Sequence, residues 1–141
     1  FFQLRGLAEF SLRRQGFAGV ERLWSRWSPG WDGSEPYLSA VKSAFDDPRV
    51  LKAALAYYRA AARPGDHLSR DLSDGAVEVP VLGLYGDQDG CILPETFRAC
   101  MGEEFFSAGL SVASVASAGH FLHLEQSEAV HHLILDHLKQ H

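Results

Sequence analysis

The stretch "VEVPVLGLYG" (77–86) limits the architecture more than any other part of this chain. A continuous apolar run ended by glycine marks a strand covered on both faces, and such strands belong to parallel sheets flanked by helices. The pattern predicts a second strand at "LSVASVAS" (110–117) and, between the two, a helix over about 94–106 with Pro94 in its first turn. "SEAVHHLILDHLKQ" (127–140) closes the series with Val130, Leu133, Ile134 and Leu138 on one helical face. Strand, helix, strand, helix with parallel strands is an α/β pattern. Two parallel strands do not make a stable sheet alone, so more sheet is expected on one side.

The preceding part of the chain has a different periodicity. "FFQLRGLAEFSLRR" (1–14), "AGVERLWSRW" (18–27), "EPYLSAVKSAF" (35–45) and "DPRVLKAALAYYRAAAR" (47–63) carry apolar residues at three-to-four spacing and predict helices. "SPGWDGSEP" (28–36) is a turn-rich connection, and "PGDHLSRDLSDG" (64–75) is polar and reads as a surface linker. The expected organisation is therefore 1–75 helices and linker, followed by 76–141 as the strand-bearing part.

Charge and composition exclude several function classes. The net charge is −5, and the arginines are interleaved with acids, so there is no basic stripe for phosphates and nucleic acid is not an expected partner. No apolar stretch approaches the roughly 20 residues of a membrane span, and no charged-then-apolar leader opens the sequence, so no membrane partner and a cytoplasmic location are expected. Cys91 and Cys100 are the only cysteines, without a CxxC, and are expected to be reduced. The sequence opens at Phe1 in apolar residues, without methionine, and is expected to be a fragment.

The chemistry gathers where the strands end. In open α/β sheets, ligands bind beyond the carboxyl ends of the strands. "LGLYGDQDGC" (82–91) delivers Asp87 and Asp89 there, and "SAGHFLHLEQ" (117–126) delivers His120 to the equivalent end of the neighbouring strand. A carboxylate holding one imidazole nitrogen leaves the other free to take a proton, which makes a general base. Asp89, third after Gly86, is the expected acid. Asp87 is the rival, and a turn aspartate bonding its own backbone is the other reading, better suited to Asp87. His120 and His123 form an i, i+3 pair without further ligands, so no metal is expected. "GLSVA" (109–113) matches a nucleophile motif, but it opens a strand, whereas a nucleophile elbow joins a strand to a following helix. No nucleophile is identified.

Strand-Gly-x-x-Asp at 79–89 followed by strand-Gly-His at 110–120 resembles the C-terminal third of the α/β-hydrolase family, whose order is nucleophile, acid, histidine. The resemblance implies an incomplete α/β-hydrolase fold with Asp89 and His120 as catalytic residues, no cofactor, and a missing N-terminal part of the core that another segment or self-association would have to replace. The helical first half then resembles a cap. "FFQLRGLAEF" (1–10) is similar to the start of the cap in epoxide-hydrolase-like members, and "AYYRAAAR" (56–63) is similar to their later N-W-Y-R stretch. Tyr58 matches one of two cap tyrosines that polarise an epoxide oxygen. Phe1 stands where the other would be, and a phenyl ring cannot donate that hydrogen bond. The resemblance implies that Phe1, Phe2 and Tyr58 contact substrate; an amphipathic core position is the other reading of Tyr58. For the three tryptophans Trp24, Trp27 and Trp31 core packing is the favoured reading and an apolar pocket wall the second, with Trp27 as the candidate to face substrate.

The expected function is the acid and histidine of a hydrolase acting on a small apolar ester. An epoxide hydrolase or haloalkane dehalogenase with an aspartate nucleophile upstream is the alternative within the family. A non-catalytic remnant or ligand-binding module is the alternative outside it.

Overall fold

A computed structural model describes residues 2–61 and 77–141. Phe1 and the expected linker 64–75 lie outside the described residues. The rest is mixed helix and strand, with two parallel strands in one sheet, in keeping with the α/β class. Two compact units are present, one drawn from Phe1–Trp24 and Asp32–His67, the other from Ser25–Trp31 and Leu68–His141.

The first unit is helical. Helix α1 (Leu7–Trp27) is interrupted at Arg14–Phe17, where Gln15, Gly16 and Phe17 all have positive φ. A left-handed conformation costs a residue with a Cβ roughly 1–2 kcal/mol, and here it accompanies the burial of Phe17, whose ring lies 6.2 Å from that of Phe45. The interruption falls between the two expected helices, but the first of them starts at Leu7, after the left-handed Gly6. Helices α2 (Glu35–Phe45) and α3 (Pro48–Ala61) follow, with Pro36 in the first turn of α2. Ala8 and Leu12, Val20 and Trp24, and Leu51 and Leu55 are buried pairs four apart, each on one helix face. Arg13 donates to the carbonyls of Phe45 and Asp46 at the end of α2, where unpaired carbonyls favour a cation. The Arg59 guanidinium donates to both oxygens of Glu9, at 2.9 and 3.2 Å, and joins α3 to α1.

The second unit contains β1 (Val81–Gly86), α4 (Pro94–Cys100), β2 (Leu110–Val115), the short α5 (Leu122–Glu125) and α6 (Ser127–Gln140). The strands pair in parallel from Val81 opposite Leu110 to Gly86 opposite Val115. Val115, Ala118 and Val130 form the core, with Leu84, Leu122 and Leu133 packed against it. Three boundaries differ from the sequence pattern. The strand expected from 77 makes only an isolated parallel bridge at Val77, opposite Phe106, and the continuous ladder begins at Val81, after Pro80, which has no N–H to give; Val81 N–H donates to the Gly109 carbonyl. The helix expected to reach 106 stops at Cys100, ahead of an extended Gly102, and Glu103–Phe105 forms a 3-10 turn. The second strand stops at Val115, shortly before the chain turns at Ser117 with positive φ.

Burial of the strands also differs. In β1 only Gly83, Tyr85 and Gly86 are buried, while Val112 of β2 is exposed. On α6, Val130 is buried and Leu133 half-buried, but Ile134 and Leu138 on the same face are exposed. The two described strands cover only the first turns of that helix face. Among the described residues no helix is long and apolar enough to cross a membrane.

Candidate active site

Both loops of interest leave the carboxyl ends of paired strands, β1 at Gly86 and β2 at the opposite Val115. The β1 loop is fixed by its own backbone: Asp87 N–H donates to the Val115 carbonyl, Gln88 N–H to that of Ala118, and Asp89 N–H to that of Gly86. Asp87 is exposed and accepts a 3.3 Å bond from Ala118 N–H, so it fastens one loop to the other.

Asp89 is turned inward, with a side chain only 7% exposed. Its Oδ1 accepts the N–H groups of Cys91 at 2.7 Å and Ile92 at 3.0 Å. Its Oδ2 lies 3.0 Å from Nδ1 of His120. One oxygen of Asp89 thus makes turn bonds to its own loop, and the other faces the imidazole. An ionised carboxylate can only accept, so the bond fixes the proton of a neutral His120 on Nδ1 and leaves a lone pair on Nε2. Among the described residues no hydrogen bond engages Nε2, and the His120 side chain keeps 29% of its surface exposed.

The aromatic surroundings are close. Trp27 meets the imidazole at 5.3 Å in an edge-on arrangement, and Phe121 lies 5.4 Å from it on another side. Trp31 in turn packs 5.9 Å from Phe121. The site offers a nitrogen base, oriented by a buried carboxylate, beside an apolar wall. No protein-family model and no curated protein matches the chain.

The expected site residues separate into two groups. Asp89, His120 and Trp27 come together in the second unit. Phe2 and Tyr58 come together in the first, with ring centroids 4.7 Å apart, and Tyr58 is 48% exposed. Phe1 lies outside the described residues. Ser111 is an exposed residue within β2, opposite Leu82, and does not stand on a strand-to-helix turn. Burial and then the Asp89 charge push the Cys91 thiol up, which disfavours the thiolate a cysteine nucleophile needs. His123 is exposed, and among the described residues no cluster of three or more His, Cys, Asp or Glu side chains could hold a metal ion.

Sequence reasoning missed the supports of the pair. The Trp27 carbonyl accepts the N–H groups of both Gly90 and His120, at 3.1 and 3.0 Å. A Cβ on Gly90 would fall 2.0 Å from the Arg26 carbonyl oxygen, and one on Gly119 would fall 2.5 Å from Ser28 Cα. Ser28 and Glu125 meet directly behind His120, with Ser28 Oγ donating to Glu125 Oε1 at 2.7 Å. No sequence signal marked Glu125, which stands four residues after Phe121 and accepts its N–H, one position beyond where a capping-box carboxylate falls.

Proposed function

We propose that this chain is the cap and the last two core strands of an α/β-hydrolase, and that Asp89 and His120 serve it as orienting acid and general base. The observation that carries the reading is the 3.0 Å bond from His120 Nδ1 to a buried Asp89, made across the ends of adjacent parallel strands. In the reaction, Nε2 of His120 takes a proton from a nucleophile as it attacks an ester carbonyl, Asp89 stabilises the imidazolium, and the same proton passes to the leaving alkoxide. The proposal takes the nucleophile from outside these residues: Ser111 lies on a strand, and burial and the Asp89 charge push the Cys91 thiol up, against the thiolate form. Trp27 and Phe121 beside the imidazole support a small, mostly apolar, uncharged ester as substrate.

The test is to express the chain joined to the polypeptide encoded immediately upstream in the same reading frame and to assay p-nitrophenyl butyrate. Turnover is expected, and His120→Ala is expected to lower kcat by about 10²–10⁴-fold, the worth of a positioned proton acceptor. Turnover that survives His120→Ala unchanged overturns the reading.

A further inference from the structure

Among the described residues only two polar or charged ones are buried, Ser28 and Asp89, and both converge on His120. Asp89 holds the ring. Ser28, 3% exposed, holds the main chain that carries the ring. A buried hydroxyl is costly unless bonded, and that of Ser28 is used twice: it donates to Glu125 Oε1 and accepts Phe121 N–H at 3.3 Å. The Glu125 carboxylate accepts in addition from Gly119 N–H at 2.8 Å and Phe121 N–H at 2.9 Å. Between these two, His120 N–H donates to the Trp27 carbonyl. Three successive amides, at 119, 120 and 121, are thus directed to Trp27, Ser28 and Glu125, and none of them to the sheet.

We infer that Ser28 and Glu125 are positioning residues for the proposed base, a serine–carboxylate clamp that sets where the His120 imidazole stands relative to Asp89. This rests on the reading of Asp89 and His120 as an acid–base pair. With three amides fixed, the Cα of His120 has little freedom, and the ring is left only its two side-chain torsions, which the Asp89 bond and the Trp27 edge contact restrict. Bonds to a carboxylate are stronger than neutral ones, so one charged acceptor can hold a loop that has no regular structure of its own. The clamp matters to chemistry because a misplacement of about 1 Å at a reacting group can cost roughly 10²-fold in rate.

The experiment uses the full chain labelled with nitrogen-15 and reads the His120 imidazole by long-range proton–nitrogen spectra in wild type, Ser28→Ala, Glu125→Gln and Asp89→Asn. Wild type is expected to show a single Nδ1–H tautomer. Glu125→Gln, which keeps size but turns one acceptor into a donor facing N–H groups, and Ser28→Ala are each expected to give a mixture of tautomers in an otherwise folded spectrum. Amide exchange at Gly119 and Phe121 is expected to rise at least tenfold in both. An unchanged tautomer in a folded Ser28→Ala or Glu125→Gln protein overturns the inference. If Asp89→Asn leaves the tautomer as in wild type, it is the acid–base reading that fails; if Asp89→Asn disturbs it and the other two do not, only the clamp fails. Should both clamp variants fail to fold, wild-type exchange decides: amides 119–121 exchanging at free-peptide rates overturn the clamp, and protection shared by all three supports it.

Discussion

At the scale of single residues, the site depends on backbone as much as on side chains. Gly90 lies so near the end of α1 that any side chain there must push on the Arg26 carbonyl, an atom that cannot rotate away. Its φ is not in the left-handed region, so alanine is excluded by space and not by backbone conformation. Gly90→Ala is therefore expected to cost about 1–3 kcal/mol, the usual range for overpacking, with a lower urea midpoint by tryptophan fluorescence; a midpoint within error of wild type would show that the contact yields easily. That Asp89 and His120 would meet was legible in the sequence, because each follows a recognisable strand and glycine at short range. Their supports were not. Ser28 reaches Glu125 across 97 positions, and the Trp27 carbonyl is an acceptor every residue type possesses, so no residue pattern announces either.

At the scale of elements, the helices of the first unit are joined by charge as well as by apolar faces. Arg59, bonded to both oxygens of Glu9, holds that carboxyl below its ordinary value of 4.5, at about 2, with help from Glu9 and Gly6 backbone N–H groups. The unfolded chain therefore binds this proton at a higher pH than the folded one. The contribution of the pair is complete above about pH 4.5 and disappears as pH falls toward 2. In thermal unfolding followed by circular dichroism, the gap between wild type and Glu9→Gln is expected to be widest above pH 4.5 and to close on acidification; a gap constant with pH would mean that Glu9 contributes by packing alone. Element type was readable here from apolar spacing, and α2 and α6 have the limits the sequence suggested. Misjudged ends trace to single residues whose effect is local: Pro80 lacking a donor, and the chain turning extended at Gly102. The degree of strand burial was not readable, since an apolar run reports what a strand needs to have covered and not what covers it.

For the whole molecule, activity depends on more than the residues of this chain if the proposed function holds. On the proposed function, His120 and Asp89 would be half of a catalytic apparatus, and much of the rate of α/β-hydrolases comes from the nucleophile and the oxyanion donors. The chain by itself is expected not to hydrolyse p-nitrophenyl butyrate above buffer, and Ser111→Ala is expected to change nothing, as Ser111 is an exposed residue in the middle of β2. Turnover by pure chain that is lost on Ser111→Ala would assign the nucleophile to that serine after all. The strand-bearing unit is also discontinuous along the sequence, because Ser25–Trp31 belongs to it while the residues on either side belong to the helical unit. Anyone recombining this protein with another to alter its selectivity meets that fact as a rule of splicing. A graft that exchanges all of the leading helices at one junction discards the Trp27 ring and the Ser28 hydroxyl, and so unfastens the histidine in the part it meant to leave alone. A chimera that respects the fold takes two donor pieces, cut after Trp24 and before Asp32, and leaves the seven native residues between them.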